Sequence, residues 1–79
     1  VKLPRDVSGD KLVKHLRRHW GYTQVNQVGS HVILVSDSPR HHRLPVPLHD
    51  PLGISIFKKI LNEVCEAKNI TQDELLRDL

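Results

Sequence analysis

The 79-residue sequence holds one cysteine, no methionine, four glycines and three aromatic residues. A lone Cys65 has no internal partner, which excludes a disulfide-stapled secreted mini-protein. No apolar run approaches the roughly 18 residues of a membrane span, and no stretch reads as a signal peptide. There is no internal repeat, and the length excludes a Rossmann fold, a barrel or a solenoid. With one Trp, one Tyr and one Phe, the core has to be aliphatic. Apolar residues make up 38% of the chain, enough for one pair of packed layers, since chains of this size bury only about 60% of their unfolded surface. The expectation is a reduced, cytosolic protein with a single domain over 1–79, needing no metal and no organic cofactor.

Charge is present and uneven. Twelve Lys and Arg against nine Asp and Glu give +3 and a pI near 9.4, with six histidines besides. Residues 11–19, KLVKHLRRH, carry Lys11, Lys14, Arg17 and Arg18 and no acid. Residues 39–49, PRHHRLPVPLH, carry Arg40, Arg43 and three histidines and no acid. The last nine residues, TQDELLRDL, are acidic by contrast. Basic stretches beside an acidic tail point to an anionic partner, nucleic acid first.

Hydrophobic spacing gives the element order. Residues 1–7 read as a lead-in, with Pro4 disfavouring helix just before it. Ser8 is placed to cap a helix over 9–20, in which Leu12, Val13, Leu16 and Trp20 form one stripe and Gly21 is the stop. YTQVNQV reads as a half-buried strand, Gly29-Ser30 as a two-residue type II′ turn, and HVILVS as a β-branched strand. HRLPVPLH has two prolines on alternate positions, which confines it to a sheet edge. A helix follows over 54–68, with a stripe of Ile56, Ile60, Leu61 and Val64, Phe57 flanking, and Asn69 as its left-handed end. Thr71-Gln72-Asp73-Glu74 is a capping box opening a short last helix. The predicted class is α+β: an α-β-β-β-α two-layer sandwich with both helices on one face of a three-stranded antiparallel sheet.

The densest polar constellation is Gln27-Val28-Gly29-Ser30-His31. A histidine immediately after a tight turn is held on a rigid element, and the glycine lets a phosphate approach the backbone. A neutral imidazole there can take the proton of an RNA 2′-hydroxyl, whose oxygen then attacks the adjacent phosphorus without a metal. A surface histidine that merely starts a strand is the plainer alternative. His15 and His19, four apart, have metal-ligand spacing but no further ligands, so they read as solvated on a basic helix face. His41-His42, between Arg40 and Arg43, read as an exposed loop or a phosphate contact. His49 follows the edge strand, where a general acid or a substrate-orienting group would fit. Lys58 and Lys59 sit early on the second helix, either solvated or placed for phosphates. Cys65 reads as structural.

The order SGDKLVKHLRRHWGYTQVNQVGSHVIL, a strand ending LPVPLHD, then ISIFKKIL and NITQDELL resembles the HicA toxin family from Ser8 to Leu76. Its most specific parts are Gln27-x-Gly29-Ser30-His31 and Val46-Pro47-x-His49. These are small mRNA interferases of toxin–antitoxin pairs, with a fold like that of a double-stranded-RNA-binding domain. The resemblance implies that His31 is catalytic, and that a HicB-type antitoxin is the protein partner. The chain departs from the family pattern at Asn26, where a basic residue is usual, and at Ser55-Ile56, where Gly-Thr is common. The expected function is therefore an endoribonuclease toxin that cleaves mRNA with His31 as general base. Gly29, Ser30 and His49 would support catalysis, and Gln27, Lys58, Lys59, Arg43, Lys14 and Arg18 would hold RNA. The alternatives are a non-catalytic RNA-binding module of the same fold and a small protein–protein adaptor.

Overall fold

A computed structural model describes residues 6–77 and residue 79; the expectation for Pro4 falls outside the described residues. The elements are α1 (Gly9–His19), β1 (Thr23–Val28), β2 (His31–Ser36), β3 (His42–Pro47), α2 (Ile54–Lys68) and α3 (Gln72–Leu76). The strands form one antiparallel sheet in the order β1-β2-β3. The predicted α-β-β-β-α order with a short terminal helix is the one observed.

Local chemistry sets the element ends. The Ser8 side chain accepts the Lys11 N–H at 3.1 Å, satisfying one of the orphan donors of α1. Gly21, at φ 71°, takes the chain out of the helix in a conformation that a side chain resists. Asn69 ends α2 in the left-handed region, at φ 57° and ψ 50°. The Thr71–Glu74 capping box is complete, each side chain satisfying the other residue's backbone.

Val32 and Leu34 of β2 and Leu44 and Val46 of β3 alternate onto one sheet face. They share a core with Leu12 and Leu16 of α1, Leu61 and Val64 of α2, and Leu75 of α3, so the helices cover that face. His31, Ile33 and Val35, with Arg43, Pro45 and Pro47 opposite them, project to the other face. α1 is locked to the end of β3 at Gly9, whose N–H donates to the His49 carbonyl at 2.8 Å. A Cβ at Gly9 would lie 1.9 Å from the Pro47 carbonyl oxygen, so only glycine permits this crossing.

Three expectations are corrected. β1 is exposed along its whole length rather than half-buried. Tyr22, Val25 and Val28 are spaced three apart, not two, and the pairing register slips between Gln24 and Asn26. Tyr22 alone enters the core, while Val25 and Val28 are 58% and 61% exposed. On α2 the roles of two neighbours exchange, with Phe57 in the core and Ile56 exposed. His15 is buried rather than solvated, its Nε2 bonded at 2.6 Å to the Leu75 carbonyl, which ties α1 to α3.

Candidate active site

The β1–β2 turn positions His31. Gly29 has φ 58°, as the first central residue of a type II′ turn requires, and open space surrounds it. The Gln27 side-chain amide donates to the Gly29 carbonyl at 3.2 Å and braces the bend. The Ser30 carbonyl accepts the Leu48 N–H at 2.7 Å, fixing the turn to the chain leaving β3. His31 is exposed, paired in register with Val28 on one side and Pro47 on the other. Among the described residues nothing hydrogen-bonds its ring, so both ring nitrogens are available to a substrate.

His31 lines a groove of about 490 Å³ between the edge strand β3 and α2. Arg43, Pro45 and Pro47 form one wall and Ile56, Lys59 and Ile60 the other. Because α2 follows β3 through a short loop, it runs back along the strand. Ile56 and Lys59 therefore lie toward His31, and Glu63 and Glu66 toward Arg40 and His42. Arg40 confirms this sense, since its guanidinium donates to the Glu66 carbonyl at 3.3 Å.

At the far end of the groove His42 is joined to polar side chains that lie behind its lining. The Tyr22 hydroxyl lies 2.7 Å from His42 Nδ1, and the two rings meet edge to face. The Lys68 ammonium sits 4.9 Å from the Tyr22 ring centre and donates to Ser36 Oγ and the Ser38 carbonyl. Burial, with help from the Glu63 charge, pushes the Tyr22 phenol up to about 12. His42 is held below the ordinary histidine value, chiefly by burial, with Arg40, Lys68 and His41 adding to it against an opposing pull from Glu63. Burial likewise lowers Lys68 and raises the Cys65 thiol, the latter helped by Glu74. A raised thiol agrees with a structural Cys65.

Of the expected site residues, the fold brings His31, Arg43 and Lys59 into one groove. Lys58 is exposed one residue outside its lining. Gln27 and Ser30 build the turn. His49 is exposed at the His31 end of the sheet, its carbonyl holding Gly9. Lys14 and Arg18 belong to α1 and line separate shallow depressions with Lys11, Arg17 and Thr23. Lys14 is also paired with Asp10 at 3.0 Å. His42, expected in a loop, is a half-buried strand residue, while His41 is exposed and bonded to Asp37 at 2.7 Å. The Tyr22–His42 pair spans twenty residues and depends on strand register, so no local pattern announces it. Among the described residues no three His, Cys, Asp or Glu side chains converge as a metal site. No helix there is long and apolar enough to cross a membrane.

An unhindered imidazole in a groove that also carries cations can serve proton transfer at a phosphodiester, with a cation within reach opposing the charge that builds on phosphorus-bound oxygens. Compared with known families, residues 9–64 match the family model described as HicA toxin of bacterial toxin–antitoxin. Comparison with curated proteins and with solved structures gave no match.

Proposed function

The chain belongs to the HicA toxin family of bacterial toxin–antitoxin systems, and from that premise we propose that it is an endoribonuclease acting on mRNA. His31 takes the proton of a ribose 2′-hydroxyl. The freed oxygen attacks the adjacent phosphorus, and the bond to the 5′-oxygen breaks. The products are a 2′,3′-cyclic phosphate and a 5′-hydroxyl. Lys59, on the α2 wall of the groove, offsets the charge that gathers on the phosphoryl oxygens, and Arg43, four residues along β3 from the partner of His31, holds a neighbouring phosphate. His49, at the same end of the sheet, supplies the proton to the leaving 5′-oxygen. Positioned proton transfer of this kind contributes about 10²–10⁴-fold, and alignment in the groove supplies the rest.

The single observation that carries this reading is the placement of an exposed, unengaged His31 at the mouth of a groove flanked by cations. Membership of the family also implies a cognate antitoxin. The exposed Val28, paired directly with His31, supports an antitoxin of the HicB type that docks across the turn and occludes the histidine.

The test is cleavage of an RNA in EDTA by wild type and His31→Ala, with a second substrate carrying a 2′-deoxy nucleotide at the cut. The expected result is cleavage by wild type alone, a cyclic phosphate end, and no cut at the deoxy position. RNA retained but left whole by the wild-type protein would favour a binding module. Undiminished cleavage by His31→Ala would remove the histidine from the mechanism.

A further inference from the structure

The groove is longer than one phosphodiester requires. His31 stands opposite Pro47 and His42 opposite Ser36, five residues farther along the β2–β3 ladder. At strand spacing that is roughly 16 Å, and the odd separation sends the two side chains to opposite sheet faces, so His31 and His42 do not act on one bond and the groove joins them around the β3 edge. Arg43, opposite Val35, stands four residues along the ladder from His31 and next to His42, so it joins Arg40, Glu63 and Glu66 at the far end, while Lys59 lies between the two ends. A phosphate backbone can pass Lys59 on its way along the groove, and the mixed charges of the far end suit a neutral, hydrogen-bonding base beside it.

The Tyr22 pair sets the character of His42. Among the described residues the Tyr22 hydroxyl has one partner, Nδ1 of His42, so we assign its proton to that bond. His42 then carries its own proton on Nε2, which leaves an N–H donor at the groove with the Glu63 carboxylate near it as an acceptor. The raised phenol and the depressed imidazole both preserve this arrangement through the neutral range. A donor and an acceptor lining the same end of the groove, with a ring able to stack, suit the edge of an unpaired base, the usual target of sequence-specific RNA readers.

Resting on the ribonuclease reading above, we propose that the β3–α2 groove is a track for single-stranded RNA that runs from the scissile bond at His31 to a base-reading site at His42. His42 is thus a specificity residue and Tyr22 its positioning residue, while Lys59 holds the intervening backbone and Arg43 the phosphate next to the base that is read.

Binding and cleavage separate this proposal from the one it rests on. Labelled RNA oligonucleotides of two, four and eight residues are titrated against the His31→Ala protein. Cleavage positions of the otherwise wild-type enzyme are mapped on a randomised RNA, with and without His42→Ala or Tyr22→Phe. Affinity is expected to rise with length, and His42→Ala to weaken the octamer about tenfold while leaving the dinucleotide unchanged. Both variants should flatten the base preference at one position displaced from the cut. If His42→Ala does not fold by circular dichroism, Tyr22→Phe, which keeps the ring packing, decides. Unchanged octamer affinity together with an unchanged cleavage pattern overturns the track. So does loss of antitoxin binding with RNA binding intact, which would give the groove to the protein partner. Persistent cleavage by His31→Ala would sink the catalytic assignment and leave the binding result to judge the track.

Discussion

Two surfaces of this protein are basic, and they differ in what stands beside the charge. The outer face of α1 presents Lys11, Lys14, Arg17 and Arg18 along one helix, with Lys14 already paired to Asp10. The β3–α2 groove has fewer cations, but they converge from two elements and His31 joins them from a third. The α1 face is denser in sequence and the groove is denser in chemistry. A run of like charges on one helix spreads outward into solvent, where each charge is screened separately. Concave walls aim their charges at one small volume.

The contrast can be broken most sharply at His31. Replacing it with alanine is expected to lower cleavage by about 10²–10⁴-fold with folding intact, measured as single-turnover cleavage beside a thermal melt. Next in size is the joint between the two regions. Gly9→Ala places a methyl group on the Pro47 carbonyl and should destabilise the fold by about 3 kcal/mol in urea denaturation. Such a result would show that α1 serves the groove through its anchorage rather than its charge. Charge removal comes third. Arg43→Ala or Lys59→Ala should each reduce the salt dependence of RNA binding by about 0.7 in logarithmic slope. Lys14→Ala or Arg18→Ala should change it much less, and equal losses at both surfaces would erase the distinction.

The smallest effect concerns acid. His42 is depressed in the folded protein, so the unfolded chain takes up its proton first as pH falls. Its contribution to stability is therefore present above the ordinary histidine range, near pH 6.5, and is lost as pH drops through the lowered value. The midpoint of unfolding should fall more steeply with acid in wild type than in His42→Gln. Parallel acid limbs would detach His42 from the folded state's proton balance.

Much of this was legible in sequence wherever the cause is local. Ser8, Asn69 and the Thr71–Glu74 box end helices through contacts within a turn or so, and α2 runs over the residues its stripe marks out. His31 was legible because the glycine turn that presents it adjoins it. What escaped depends on partners far away. The register slip in β1 exists only relative to β2, the strand it pairs with. His15 reads as solvent-facing until α3, sixty residues later, covers it with the Leu75 carbonyl. The groove escaped for the same reason, since residues 31, 43 and 59 meet only when β3 and α2 lie side by side.

The two rims of the sheet have unequal futures in a crowded cell. Pro45 and Pro47 deny β3 the amide hydrogens that a continuing ladder would need, whereas β1 has no strand on its outer side and contains no proline, with Asn26 Oδ1 taking up the Gln27 N–H. Lateral growth can thus begin at one rim and has nowhere to proceed from the other. Two molecules joined rim to rim through β1 would expose only proline-capped borders, so stray association ends at a pair instead of advancing into a fibre.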